Sequence, residues 1–272
     1  MDLTVDDFRR VPIRLSGVVV PQRYRGTVVA KPVYEERLPL GPLRPWSPCV
    51  WVRRAPEVGA STARVVPDGC TDLLWRQGVL AIAGPDTGHR EVPLAPGELI
   101  VGVRLRPGAA RPLLGETPAT EVADAQPDLS ELWGEAALRL REALAAQPGP
   151  WQIAATLAAA LGARFDAHAP DRIAVSVADA LDCPRPRAIA SLARELGYSE
   201  RHLRRRVQAA TGYGPKTLEQ ILRFRRSLEA AESAPDWSRI AAEQGYADQA
   251  HLSRQVRRWS GATPRRLAAQ RA

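Results

Sequence analysis

Four polar side chains share one face of a helix predicted in the last third of the chain. They stand at positions i, i+3, i+4 and i+7, a spacing that a helix brings to one side: Arg201, Arg204, Arg205 and Gln208. Arginine pairs with guanine, and glutamine with adenine, in the major groove of DNA. Since a merely solvated helix face more often mixes Glu with Lys, the pattern favours contact with a nucleic acid.

A second segment, closer to the end of the sequence, repeats this arrangement with more varied side chains. Leu252 and Val256 are expected to point inward there, as Leu203 and Val207 do in the first segment. The outward positions, and those near the helix start, are Gln249, Ala250, His251, Ser253, Arg254 and Arg257.

The polar residues of both segments are divided by the DNA group that each is expected to meet. Contacts with base edges specify sequence, whereas contacts with phosphates position the protein. Base contacts are predicted for Arg201, Arg204, Arg205, Gln249, His251 and Arg254. Phosphate contacts are predicted for Arg206, Lys216, Arg257 and Arg258.

Both segments belong to a longer internal repeat. Gly197 and Gly245 are equivalent at an offset of 48 residues, and Gly212 and Gly261 at an offset of 49. The matched positions are apolar core residues, turn glycines and a proline after the second helix, which is the pattern of two helix–turn–helix units. An array of helical hairpins would also repeat at this length, but there are only two copies and their exposed faces are basic.

Positive charge is concentrated in the same region. Residues 184–272 hold 18 Lys+Arg against 8 Asp+Glu, a net charge of +10, whereas residues 1–183 hold 20 against 22, a net charge of −2. With 272 residues the chain is long enough for two domains. The asymmetry predicts a basic domain that meets a polyanion, beside a neutral domain with another task.

Other features of the sequence indicate the cellular compartment in which the protein is expected. The sequence has no run of roughly eighteen apolar residues, so no membrane span is expected. The acidic, polar start MDLTVDDFRR is not typical of a secretory signal. Cys49, Cys70 and Cys183 lie far apart, which suits a reducing cytosol better than a disulfide scaffold. We therefore expect a cytoplasmic protein, and no cofactor is predicted.

Composition divides the chain into four stretches. Residues 1–33 form a lead-in whose structure the sequence leaves open. Residues 34–134 begin with short apolar runs broken by Pro and Gly, which predict a small β-barrel or sandwich, and the pattern becomes helical after Pro107. Residues 135–183 predict a helical connector, and residues 184–272 are helical by pattern throughout. The predicted fold class is α+β with two domains, a β-rich one followed by an all-α one.

The segment PDGCTD (residues 67–72) invites a sharper hypothesis. Metal or redox sensing through Cys70 would enlist Asp68, Asp72 or His89. A tight Pro-Asp-Gly turn that leads into a buried strand, with Cys70 as a small hydrophobe, is the alternative that we favour. A zinc site needs about four closely spaced Cys/His-type ligands, and the sequence shows no such set.

A few other residues of the β-rich region are candidate effector ligands. Trp51 and Trp75 would line an apolar pocket, although tryptophans in a small β-domain are more often core. Arg104 and Arg106 lie on one side of a predicted strand, where they would clamp an anion or, as we favour, make surface ion pairs. Together with Cys70 these residues form the predicted effector set.

Near the end of the sequence stands the segment IAAEQGYADQAHLSRQVRRWSGATPRRL, in which D-Q-x-H-x-S-R is followed by G-x-T-P. Through this segment the region from Ala188 to Leu267 resembles the DNA-binding domain of the AraC/XylS family of bacterial transcriptional regulators. The resemblance implies two helix–turn–helix units joined by a long helix, and binding to DNA. Val207 and Val256 stand where the family usually has Phe, a difference that changes packing more than chemistry.

Four segments between Tyr34 and Gly134 carry a second resemblance: VVPDGCTDLLW, AGPDTGHREV, GVRLRPGAARPLLG and LSELWG. They are similar to an N-terminal domain found in a subgroup of these regulators. That domain is cupin-like, and its ligand is in general not established. The resemblance implies a sensory or dimerising role for this part of the chain.

These observations together predict a sequence-specific transcriptional regulator that is not an enzyme. The expected partners are double-stranded DNA at a promoter or operator, an unknown small-molecule effector, RNA polymerase and a second copy of the chain. Two alternatives stay open. One is a DNA-directed repair protein, or a redox or metal sensor, that acts through Cys70, although no complete catalytic constellation is visible. The other is an architectural protein that binds DNA without sequence preference.

Overall fold

The computed structural model describes residues 9–10, 20–21, 33–39, 41–233 and 236–271. Most of the lead-in, residues 1–33, therefore lies outside the described residues. Within them, every helix is too short or too polar to cross a lipid bilayer.

Among the described residues, nine strands form two antiparallel sheets. The larger sheet has the order β1-β3-β4-β9-β6-β7, and the smaller has the order β2-β5-β8. Along β6 buried and half-buried residues alternate, as expected for a strand with one face on the core. The strands are β1 (Arg9–Arg10), β2 (Val20–Pro21), β3 (Val33–Leu38), β4 (Cys49–Arg54), β5 (Ser61–Val65), β6 (Thr71–Arg76), β7 (Val79–Ala83), β8 (Arg90–Leu94) and β9 (Leu99–Leu105).

Four helices follow the strands, and the last two of them contact the larger sheet. They are α1 (Arg111–Leu114), α2 (Ser130–Trp133), α3 (Glu135–Ala145) and α4 (Pro150–Gly162). In α4 the buried residues Ile153, Leu157 and Leu161 recur every four positions, so one helix face packs against β4 and β9. Pro150 at the first helical position starts this helix. The larger sheet and these helices share one hydrophobic core.

The rest of the chain is helical and has its own core. Its helices are α5 (Arg172–Leu181), α6 (Ile189–Glu195), α7 (Glu200–Thr211), α8 (Pro215–Ser233), α9 (Trp237–Glu243), α10 (Gln249–Ser260) and α11 (Pro264–Arg271). Val177 and Leu181 of α5 belong to this second core, and α5 contacts α7 and α8. The connector predicted for residues 135–183 therefore does not pack as one unit, since α3 and α4 pack with the sheet core. The domain boundary near residue 184 stays a prediction.

Two helix–turn–helix units stand on either side of the long helix α8. The first is α6 with α7, and the second is α9 with α10. Each turn contains a glycine with positive φ, Gly197 (φ 72°) and Gly245 (φ 73°). Ser199 caps α7 by accepting a hydrogen bond from the amide of His202 at 3.2 Å. The predicted α+β architecture with two such units is confirmed.

Candidate nucleic-acid interface

The apolar faces of α7 and α10, which we call the reading helices, are locked into the second core. Leu203, Val207, Leu252 and Val256 are all fully buried. A helix with one face held in this way presents its opposite face to solvent. On α7 that face consists of exposed Arg201, Arg204, Arg205 and Gln208.

The three predicted base-reading arginines of α7 differ in their partners. Arg204 is held by Glu200 one turn earlier, with Nε donating to Oε1 at 2.7 Å. Arg201 and Arg205 form no ion pair with any described residue. An arginine whose guanidinium has no protein carboxylate partner keeps all of its donors for guanine or phosphate oxygens. Arg201 and Arg205 are therefore the better placed of the three to meet DNA.

Arg206 has a different environment from its neighbours on α7. Its Nε donates to both carboxylate oxygens of Asp171, at 2.8 and 3.0 Å. The guanidinium also lies 5.8 Å from the ring of Tyr198. Asp171 in turn caps α5, because its carboxylate accepts from the amides of Ile173 and Ala174. The sequence predicts a phosphate contact for Arg206. In the structure Arg206 is half-buried, and its ion pair with Asp171 connects α7 to the start of α5.

The outward side of α10 carries exposed arginines and one oriented amide. Arg254 is exposed and forms no ion pair with the described part of the chain. Gln249 is exposed at the helix start, and its Oε1 accepts a hydrogen bond from the hydroxyl of Ser238 at 3.0 Å. This bond links the side chain to the supporting helix α9. The terminal amide group of Gln249 keeps its N–H donors for another acceptor.

His251 contributes to the turn of the second unit as well as to its surface. Its backbone amide donates to the Asp248 carboxylate at 2.5 Å, and its Nδ1 accepts from the amide of Ala247 at 3.4 Å. Its ring lies edge-on to Tyr246, with centroids 5.2 Å apart. These contacts half-bury the imidazole. A base contact by His251 would therefore use its other ring nitrogen.

The remaining basic residues border the reading helices. Lys216 pairs with Glu219 at 2.9 Å, and Arg258 lies 4.5 Å from the centre of the Trp259 ring. Arg257 is exposed and lies on the outer side of α10. Sequence reasoning did not single out Arg265 and Arg266, which are exposed at the start of α11. Their position directly after the G-x-T-P segment is the sequence feature that could have identified them.

Inside the β-rich half, Arg104 is the centre of a buried ion cluster. Only 5% of the residue is exposed. Its Nε lies 3.2 Å from Asp72 and 3.6 Å from Asp68, and its Nη1 lies 3.6 Å from Glu36. Burial raises the pKa of Asp72, against the lowering effect of Arg104. The prediction of a surface ion pair is wrong for Arg104, because β9 lies in the middle of the sheet and buries its residues on both faces.

Cys70 lies at the predicted turn and is buried. Asp68 accepts a hydrogen bond from the amide of Cys70 at 2.8 Å, and Gly69 has a φ of 86°. Burial raises the pKa of the Cys70 thiol well above its ordinary value, so the reactive thiolate is disfavoured. Over the described residues, no cluster of three or more His, Cys, Asp or Glu side chains is suited to hold a metal ion.

A cavity of about 250 Å³ lies between the two halves of the chain. Two of the predicted effector residues, Cys70 and Arg106, line its wall. Arg106 also pairs with Asp179 of α5. The two tryptophans of the effector set lie elsewhere, since Trp75 is part of the main core and Trp51 donates its Nε1–H to Asp72 at 3.2 Å.

Two protein families match the chain. The family described as "Helix-turn-helix domain" matches residues 192–270, and the family described as "Domain of unknown function (DUF6597)" matches residues 35–128. The chain is thus a DNA-binding transcription regulator with a C-terminal helix–turn–helix domain. More narrowly, that domain is of the AraC type and follows an N-terminal DUF6597 domain, so both resemblances drawn from the sequence are confirmed.

Structures of ToxT from Vibrio cholerae are among the solved structures that match the chain. ToxT of strain O395 is 12% identical, with a TM-score of 0.44 over 81% of this chain and 96% of that one. A structure described as "unsaturated fatty acid bound wild-type ToxT" from strain SCE256 is 13% identical, with a TM-score of 0.41 over 81% of this chain and 94% of that one. No curated protein matches the chain. Similarities of this size carry no argument about DNA sites or ligands.

Proposed function

We propose that the chain reads a two-part DNA site, with α7 in one major groove and α10 in the next groove on the same face. Successive major grooves are about 34 Å apart along one face of B-DNA. The observation that carries this proposal is the exposure of unpaired arginines on equivalent faces of the two helices. Arg201 and Arg205 stand on α7, and Arg254 stands on α10.

In this proposal the two helices contribute different chemistry. On α7, Arg201 and Arg205 contact guanines, and Arg204 is oriented by its hydrogen bond to Glu200. On α10, Gln249 and Arg254 contact base edges, and His251 contributes through its second ring nitrogen. Arg257, Arg258 and Lys216 contact phosphates, which adds affinity without sequence information.

Substitution of Arg205 by Ala tests sequence-specific binding directly. Affinity is measured for the preferred site and for every single-base variant of that site. We expect discrimination to fall by about 1–3 kcal/mol at one base pair and to change little elsewhere. A uniform loss over all sequences would instead support an architectural protein that binds DNA without preference.

Control of DNA binding by a small molecule is the second part of the proposal, and the interdomain cavity is the candidate site. Arg106 pairs with Asp179, and Arg225 pairs with Asp182, so these four charges compensate one another. Arg44 also lines the cavity and forms no ion pair with any described residue. One uncompensated guanidinium therefore gives the cavity a positive charge that favours an anion.

The size of the cavity and the residues that line it restrict the class of ligand further. Pro107 and Leu222 provide apolar wall, and a cavity of about 250 Å³ is smaller than the sites that hold drug-sized ligands. A small monocarboxylate with a compact apolar body fits both properties. Because the wall includes loop residues next to β4, β6 and β9 as well as residues of α5 and α8, a ligand there would contact both halves of the chain.

Thermal unfolding with matched pairs of small molecules tests this site. A panel of small carboxylates is compared with the corresponding neutral amides, for example benzoate with benzamide. We expect at least one carboxylate to raise Tm by a few degrees, about the shift that 1 kcal/mol produces in a chain of this size, while its amide has no effect. Arg44→Gln should abolish the shift, whereas Arg54→Gln, at an exposed arginine outside the cavity, should keep it. A panel without any stabilising carboxylate contradicts the proposal.

Chemistry through Cys70 has less support as an alternative function. The thiol is buried, its pKa is raised by that burial, and no metal-ligand cluster surrounds it in the described residues. RNA polymerase contact and pairing with a second copy of the chain remain predictions from the family resemblance.

A further inference from the structure

The loop that joins β7 to β8, residues 84–89, lies against both helix–turn–helix units. We call it the bridging loop. It belongs to the β-rich half of the chain, yet its side chains reach the C-terminal end of each reading helix. The contacts at the two ends involve equivalent positions of the internal repeat.

The first contact is with the end of α7. Gly212 ends this helix in the left-handed conformation, and a Cβ added there would overlap the ring of Pro85. The next residue, Tyr213, is 2% exposed and donates its hydroxyl to the backbone carbonyl of Asp86 at 2.7 Å. A 3-10 turn at Ala119–Glu121 packs against α7 beside this contact. The end of α7 is therefore enclosed by the β-rich half.

The second contact is with the end of α10. Gly261 ends that helix in the left-handed conformation, and a Cβ added there would overlap the imidazole of His89. Gly261 corresponds to Gly212 at an offset of 49 residues. A single short loop thus approaches the same point of both reading helices.

The bridging loop is itself firmly held. Buried Asp86 pairs with Arg90 at 2.9 Å. Thr87 donates its amide and its hydroxyl to the carboxylate of Asp124, at 2.6 and 2.5 Å. At the start of the loop, a Cβ on Gly84 would overlap the backbone carbonyl of Val122. Since the loop is anchored on one side and contacts both reading helices on the other, it restrains their positions relative to each other.

We infer that the bridging loop sets the spacing between the two DNA boxes that the chain accepts. Pro85 and His89 are positioning residues in this inference, because they act through the ends of α7 and α10 rather than on DNA. Each added base pair moves one box by about 3.4 Å and rotates it by roughly a tenth of a turn. Two helices held at a fixed separation cannot follow that change, whereas loosely joined helices can.

This inference rests on the proposed two-groove function and is tested on the full chain. Affinity is measured for duplexes that carry both preferred boxes with spacers from two base pairs shorter to two longer, and for a duplex with one box. We expect the affinity of the wild type to fall roughly tenfold or more when the spacer changes by one base pair. In His89→Ala the same change of spacer should lower the affinity less than about threefold. The affinity for the duplex with one box should be unchanged.

Substitutions in the bridging loop separate this inference from the proposed function. His89 is exposed, so its removal does not open the core, and Pro85→Ala should flatten the spacing profile in the same way. His168→Ala is the matched control, because His168 lies beside Glu116 and away from both helix ends. If the wild type prefers one spacing and His89→Ala and Pro85→Ala prefer it as strongly, the inference is overturned while the proposed function stands. If the wild type binds two boxes no better than one, both are overturned.

Discussion

Arg206 of the first reading helix is bound to Asp171 at the start of α5, with Nε 2.8 Å from Oδ2. The two residues are separated by 35 positions in the sequence, and the bond joins α7 to a helix that precedes the predicted domain boundary. The carboxylate of Asp171 therefore makes two sets of interactions, since it binds Arg206 and also caps α5. α5 is thereby part of the framework that holds the reading helix.

This bond predicts that Arg206 and Asp171 contribute to stability. Arg206→Ala should lower the free energy of unfolding by about 1 kcal/mol, since both side chains are partly exposed. Asp171→Ala should cost roughly 1–3 kcal/mol, because it also removes the cap of α5. Urea unfolding measures both, with Arg205→Ala as a control that should change stability very little. An Arg206→Ala chain that keeps full stability but has lower DNA affinity and a smaller salt dependence would instead support the predicted phosphate contact.

Salt dependence should separate the phosphate contacts from the base contacts. Arg257→Gln should weaken binding by a similar factor for all DNA sequences and reduce the slope of log K against log salt by about 1. The physical reason is that each neutralised phosphate releases condensed counterions. Arg201→Gln provides the comparison, because its loss should depend on sequence. If both variants changed the affinity and the salt slope in the same way, the assignment of Arg257 to phosphate contact and of Arg201 to base contact would be contradicted.

Stability should depend on the ionisation of Asp86. Burial raises the pKa of this carboxyl to about 6, Arg90 lowers it, and nearby Asp68 and Asp124 raise it. A carboxyl whose pKa is higher in the folded chain than in the unfolded one stabilises the fold at low pH, and that contribution is lost as pH rises through the folded pKa. In wild type, the Asp86 contribution to unfolding free energy should therefore fall between about pH 4 and pH 7.

Asp86→Asn isolates this contribution. Unfolding free energy is measured across the same pH range for both chains. The value for wild type minus the value for Asp86→Asn should fall as pH rises from about 4 to about 7. Asp124→Asn is a useful comparison because Asp124 lies in the same region but bonds Thr87. A wild-type and an Asp86→Asn curve that run parallel from pH 4 to pH 7 would show that Asp86 keeps an ordinary pKa.

Cys70 should be slow to react in the folded chain. Its thiol is buried and its pKa is raised, whereas Cys183 is only partly buried. Maleimide labelling at neutral pH should therefore modify Cys183 first, and Cys70→Ala should keep specific DNA binding. Rapid modification of Cys70 that abolishes DNA binding would favour the redox alternative.

Local periodicity was sufficient to predict the helix–turn–helix scaffold. Leu203, Val207, Leu252 and Val256 repeat at helical spacing, and their burial follows from that spacing alone. Ser199 was predictable as a cap for the same reason, because capping depends on residues only three positions apart. The exposed faces of the reading helices follow once the buried faces are known.

Contacts between distant parts of the sequence were not predictable in this way. The burial of Arg104 depends on the sheet order, which places β9 between β4 and β6. The approach of His89 to Gly261 depends on how the two halves of the chain pack. His89 is exposed, and its contact with a helix end had no signal in the local sequence.

Selection of bound sites from random DNA by the full chain is the most direct test of two-groove recognition. Two-groove recognition predicts an enriched motif of two boxes about ten base pairs apart, centre to centre, on one face of the duplex. In the same selection, Arg205→Ala should lose preference within one box and keep the other. A single short box, or no enriched sequence at all, would contradict two-groove recognition.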